Sequence, residues 1–300
     1  MTSQTTDFSP LSASKRDRLQ YVLPSALTLH NAPACLLIPR KSNALIYWNA
    51  EQFNLHQVKL FQTASQAQKQ AILQITTRDI LDRAYEIETF GMRYCDRAIA
   101  LGNTLQERTL YSIFKAENTL HLAQIACWLN KKELGEFEPV FFPFLTDFID
   151  TQNLNVLRFV MQVVLEGWEL SSYRKFLKDC REEKVISAVK ELLKNKSRHH
   201  TMGTTLSKQS FLLEDDSIIL IEILAEFISA IQKLPYHLID AIEQILGHLA
   251  PVQKQQAIAE LEIVKYNAMQ LKRLRFLISK ARSGKILTEL EARGCFQVVS

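Results

Sequence analysis

Residues 84–102, AYEIETFGMRYCDRAIALG, and residues 110–129, LYSIFKAENTLHLAQIACWL, decide the fold of this chain. Both are apolar at helical spacing, and Gly102–Asn103 marks a stop between them. The layout then returns: residues 163–177, VVLEGWELSSYRKFL, precede residues 191–206, ELLKNKSRHHTMGTTL. In each pair a Glu on the first helix is followed 33 positions later by a His on the second, Glu88 by His121 and Glu166 by His199. Two helical hairpins, each offering one carboxylate and one imidazole, are the skeleton of a carboxylate-bridged metal site inside a four-helix bundle. A full two-metal site also wants a Glu three residues before each His, because positions i and i+3 share a helix face. Those positions hold Asn118 and Lys196.

The charges then bound the metal chemistry. Glu88 and Glu166 supply −2, and an inward Lys196 leaves −1, so two divalent ions would bury an excess of about +3 at a cost of several kcal/mol. One metal held by Glu88, His121, Glu166 and His199 is the smaller alternative. Glu117 is a fifth candidate ligand, since it shares a helix face with His121 at i, i+4; Asn195 stands at the matching position of the other hairpin. Lys196 has two readings: an ammonium that takes the metal's place between the carboxylates, or part of an outward charged face. A lone His on an apolar helix is more often a hydrogen-bonded core residue than a ligand. The paired layout is what favours descent from a metal-binding bundle. Tyr94 and Tyr173 follow the two Glu on nearby faces and read as core tyrosines or as hydrogen-bond donors behind the ligands. His200 faces away from His199 and reads as a surface residue.

Around this skeleton the chain is organised for helix. It has 300 residues, 47% of them hydrophobic, with only 8 Gly and 8 Pro, which suits long regular elements. Residues 1–20 read as a disordered tail and 21–76 as a lead-in packed on the bundle, with extended pieces at 34–39 and 44–48 and a helical start over 63–73. Long helices are expected over 77–102, 105–130, 153–180 and 183–206, so the bundle covers 77–206. The connection after residue 130 is longer than a hairpin needs, as a chain crossing the bundle end to end requires. Further helices are expected over 217–234, 237–249 and 251–282, followed by a tail over 283–300. The net charge of +4 is spread along the chain, which argues against nucleic acid as a partner. Five scattered cysteines without a CxxC fit reduced thiols and a cytoplasmic location. No segment is long and apolar enough to be expected to span a membrane.

The four quoted segments resemble the ferritin-like superfamily of carboxylate di-iron proteins. Residues 117–121 and 195–199 stand where that family carries its (D/E)-E-x-x-H helices, and the resemblance covers residues 77–206. It implies an all-α, ferritin-like four-helix bundle with a long crossover. It also implies iron, or manganese, as cofactor and O₂-activating oxidation or oxygenation, here with a reduced site. Asn118 and Lys196 depart from the pattern and remove both would-be bridging carboxylates. The helices outside the bundle resemble the decorations of members acting on an organic substrate. The partners so implied are an apolar small molecule and, in a homodimer, a second copy of the chain.

Two functions follow from different chemistry. A non-haem iron oxidoreductase requires Glu88, Glu117, His121, Glu166 and His199 to converge on a metal. A metal-free scaffold requires the Lys196 nitrogen within salt-bridge reach of Glu88 or Glu166. An unrelated helical adaptor would instead expose Glu88 and His121.

Overall fold

The computed structural model describes residues 46–129, 138–209, 214–280 and 284–298. The tail expected at 1–20 and the extended piece at 34–39 lie outside them. Of the piece expected at 44–48, Trp48 forms an isolated antiparallel bridge with Cys180. Every other regular element among the described residues is helical.

Two 3-10 turns, Ala50–Phe53 and Leu55–Gln57, lead into α1 (Lys59–Thr63). Ser65 then closes a capping box with Gln68 and starts α2 (Gln66–Leu101). This 36-residue helix begins well before the expected Thr77. No Gly or Pro stands between Gln66 and Phe90, and the Thr76 hydroxyl bonds back to the Ile72 carbonyl instead of capping a new helix, so the lead-in runs on into the first long helix. At about 1.5 Å per residue α2 spans roughly 54 Å. Thr104, accepting from the Glu107 N–H, caps α3 (Leu105–Trp128), which packs along α2. The crossover arrives at Val140, Phe141 and Phe142. Their three N–H groups all donate to the buried Glu86 carboxylate, at 2.6–3.1 Å, and pin the strap to α2.

After α4 (Leu145–Thr151), the Asn153 side chain caps α5 (Leu154–Arg158). The helix expected over 153–180 is present but interrupted by a π-helical turn, Phe159–Leu165, before α6 (Glu166–Asp179). All seven residues of the turn are buried. The Gln162 carbonyl inside it accepts from the Nδ1 of His200, at 2.8 Å. His200 is therefore half-buried rather than on the surface, because the turn offers its ring a carbonyl partner. Helix α7 (Glu183–Gln209) carries it, and packs on α6, α3 and the π turn.

The remaining helices are α8 (Glu214–Lys233), α9 (His237–Leu246), α10 (Pro251–Glu260), α11 (Ile263–Ile278) and α12 (Gly284–Ala292). The helix expected over 251–282 is two helices, since Glu262 adopts a left-handed φ of 55° and breaks the run. The expected C-terminal tail contains α12, which buries Ile286 and Leu290, one turn apart, and packs on α8.

Two apolar clusters hold these elements together. One joins Phe90, Phe114 and Trp168 to Phe142, Phe227 and Leu274. The other joins Trp48, Trp128, Tyr173 and Phe176 to Ile239 and Ile263. Both draw residues from the two hairpins and from the C-terminal helices, so the additions share the core rather than decorate it.

Candidate functional site: a buried Lys–Glu–His network

Four helices aim polar side chains at one another between these clusters. Glu88 comes from α2, Glu117, Asn118 and His121 from α3, Glu166, Glu169 and Tyr173 from α6, and Asn195, Lys196 and His199 from α7. All but the partly buried Glu117 are less than a tenth exposed. The two 33-residue spacings become matching contacts: His121 Nδ1 lies 3.3 Å from Glu88 Oε2, and His199 Nδ1 lies 3.3 Å from Glu166 Oε1.

Lys196 joins the halves. Its Nζ lies 3.1 Å from Glu88 Oε1 and 3.6 Å from Glu166 Oε1, and its side chain is 1% exposed. The inward reading of this residue is the one realised. Room for it comes from Gly91, where a Cβ would stand 2.8 Å from Asn118 Nδ2 and 3.6 Å from Lys196 Nζ. Burial disfavours the Lys196 charge, yet the carboxylates facing it, Glu88 foremost, hold its pKa well above the usual lysine range. Burial likewise opposes the Glu88 charge, but the Lys196 ammonium and His121 hold the carboxyl down at about 2.

The imidazoles differ in their partners. The Nε2 of His121 lies 3.2 Å from Asn195 Nδ2, a donor, so one proton on Nδ1 satisfies both of its contacts. His199 has carboxylates on both sides, with Nε2 2.7 Å from Glu117 Oε2. Two acceptors require two ring protons. Burial lowers its pKa, but hydrogen bonds to Glu117 and Glu166 win and raise it above the ordinary value. Its ring also packs on Phe114, with centroids 3.9 Å apart. Glu117 thus serves His199 and its neighbour Arg198 across the hairpins, rather than sharing a site with His121.

Two members escaped the sequence reading. Glu169 is 2% exposed and bonds Tyr173, whose hydroxyl also lies 3.2 Å from Glu88 Oε1. Burial is the main force lifting the Glu169 carboxyl to about 8, with Glu88 and Glu166 adding to it against Lys196. It is protonated at neutral pH and can donate to the phenol while the phenol donates to Glu88. Glu166-Gly167-Trp168-Glu169, with two acids at i, i+3, was the available signal. Asn195, at the position that matches Glu117, joins the network as an amide that meets His121.

Asn118 and Tyr94 stand beside the network. Asn118 Nδ2 reaches Cys95 Sγ at 3.7 Å, and its Oδ1 is buried without a partner. The Tyr94 hydroxyl donates to Gln162 Oε1 at 3.1 Å and lies 3.3 Å from Tyr111, away from Glu88.

The charges close. The carboxylates of Glu88, Glu166 and Glu117 face Lys196, His199 and Arg198, and Glu169 is neutral. A metal would need lone pairs converging at about 2.0–2.2 Å. Here the lone pairs of Glu88 and Glu166 converge on an ammonium, and both nitrogens of each His face protein partners. Among the described residues no group of three His, Cys, Asp or Glu is arranged to hold a metal ion. As arranged, these residues do not fit the metal centre that the ferritin-like resemblance implies. No helix among the described residues is long and apolar enough to cross a membrane. No protein-family model, curated protein or solved structure matches the chain.

Proposed function

We propose that this chain is a ferritin-like bundle in which a lysine ammonium has replaced the metal, and that it serves as a metal-independent binding scaffold. The observation that carries this reading is Lys196 Nζ at 3.1 Å from Glu88 Oε1 and 3.6 Å from Glu166 Oε1, fully buried. A cation already stands where a bridging metal would neutralise these carboxylates. Admitting iron would require expelling that ammonium and breaking the Glu117 bond to His199, both of which leave buried charge uncompensated. The same network, without a metal, ties α2, α3, α6 and α7 together through paired charges. Such a core supports rigidity and binding, and it supplies no O₂-activating centre.

Elemental analysis tests the reading on protein expressed with iron and manganese supplied. Metal at background level is the expected result for the native chain. The double variant Asn118→Glu, Lys196→Glu restores the two acids and is expected to gain iron or manganese, lost again on adding His121→Ala. About one metal per native chain, removed by His121→Ala, would overturn the proposal in favour of an iron oxidoreductase with a reduced site.

A further inference from the structure

A cleft of about 410 Å³ opens between the hairpins and the C-terminal helices. It lies in the size range of small-molecule sites. Its walls carry cations from three different helices: Arg83 from α2, Lys175 from α6 and Arg273 from α11. Among the described residues no carboxylate lies within salt-bridge distance of any of the three. Lys265, also on the wall, is neutralised by Glu262 at 2.8 Å. Asp79 is the one further carboxylate there, and burial raises its pKa against the pull of His237 and Arg83. Burial lowers the pKa of Lys175, as do Arg83 and Lys178 against Asp179, and burial lowers that of Arg273, helped by Arg174. The lining carries Arg83, Lys175, Lys265 and Arg273 against Asp79 and Glu262, so positive charge is in excess there.

The rest of the lining mixes aromatic and apolar side chains with polar ones such as Gln52, Asn54 and Thr76. Phe176 and Tyr266 line the cleft, and Lys175 Nζ lies 5.7 Å from the Tyr266 ring centroid. Gln270, on the same wall, accepts from the buried Trp168 Nε1 at 2.9 Å, so one residue links the cleft to the indole. A smaller cavity shares Ile80, Arg83, Ser172 and Phe176 with the cleft and reaches Glu169 and Tyr173. One layer of side chains therefore separates the cleft from the buried network.

We propose that this cleft binds a small organic acid, its anionic head held by Arg83, Lys175 and Arg273 and its flat apolar body packed against Phe176 and Tyr266. Three cations from separate helices on one cleft wall, none within salt-bridge distance of a described carboxylate, favour an anionic occupant. The aromatic walls exclude a bare inorganic ion as the best-fitting occupant and call for a ligand with an apolar body. Carboxylate and phosphate heads share the required chemistry, since the Arg forks suit both. The site is separate from the Lys196 network, so it stands or falls independently of metal content.

Isothermal titration calorimetry on the full chain, with 1-naphthoate, 1-naphthyl phosphate and neutral 1-naphthamide as probes, tests the proposal. One site per chain is expected for at least one anion, weakening with salt and quenching Trp fluorescence. The amide is expected to bind about tenfold more weakly or worse, and Arg83→Gln or Arg273→Gln to cost about tenfold in anion affinity. The stronger of the two anions identifies the head group. Equal binding of the amide would overturn the proposal, as would no heat from either anion at millimolar concentration. Undiminished anion binding by both Arg variants would do the same. Should an Arg variant fail to fold, the acid–amide comparison on the native chain still decides.

Discussion

Lys196 has no solvent to fall back on, and that sets the consequence of changing it. Its ammonium is 1% exposed and compensates two carboxylates whose Cα atoms sit on different helices. Lys196→Met keeps much of the volume and removes the charge, which strands Glu88 in a medium where an unpaired carboxylate is costly. The expected loss is about 3–5 kcal/mol of unfolding free energy, read from urea denaturation. Adding Glu88→Gln removes the stranded charge and should recover part of that loss. A single Lys196→Met variant as stable as the native chain would show that the ion pair does not hold the core.

Helix α7 can approach the π turn of the preceding helix only because residue 203 lacks a side chain. A Cβ there would stand 2.3 Å from Gln162 Cβ. Neither atom can swing aside, since both are fixed to their backbones, so Gly203→Ala must part the two elements. We expect a loss of about 1–3 kcal/mol, as for other overpacked core positions. Thr205→Ala, exposed on the same helix, should stay within about 0.5 kcal/mol of the native chain. Thermal melts of the two variants side by side separate the close approach from helix propensity. The π turn matters here because it sets which way Gln162 faces, and Gln162 in turn meets Tyr94 and the His199 carbonyl.

For the whole molecule, the buried titrating groups combine into one stability profile. Glu169 is raised from 4.5 to about 8, so its contribution is greatest below 4.5 and declines as pH rises through 8. His199 is raised above 6.5, so its favourable contribution is present below 6.5 and is lost as pH rises through its folded value. Glu88, lowered to about 2, contributes above 4.5 and is lost as pH falls from there toward 2. Glu117, lowered by His199 and Arg198 against burial, acts in the same direction as Glu88. Stability should therefore peak in mildly acidic solution, between about pH 4.5 and 6.5. Glu169→Gln should flatten the alkaline limb, gaining about 2–4 kcal/mol relative to the native chain at pH 8 compared with pH 5. Tm measured from pH 3 to 9 checks both statements; a maximum above pH 8 would contradict the assignment of a neutral Glu169.

The presence of the hairpin helices and the pairing of Glu88 with His121 and Glu166 with His199 were legible in the chain alone. Both depend on local periodicity and on the fixed geometry of neighbouring turns, which residue spacing encodes directly. Boundaries with a strong local signal, such as the stop at Gly102 and the restart at Leu105, also fell where expected, whereas the break at Glu262 rests on a backbone angle that no residue type announced. The direction of Lys196 was open in the sequence, because a small rotation of α7 moves it between core and solvent. Only the packing of four helices sets that rotation, through close approaches such as Gly91 against Asn118 and Gly203 against Gln162. Glu169 joined the network for the same reason. It lies against Tyr173 and the Lys196–Glu88 pair, and its raised pKa depends on that burial and on Glu88, a carboxylate from a helix far away in sequence. The cleft was wholly out of sight, since Arg83, Lys175 and Arg273 come from segments whose nearness exists only in three dimensions. Spacing carries what lies along one helix; the desolvation and charge that decide chemistry come from what packs across it.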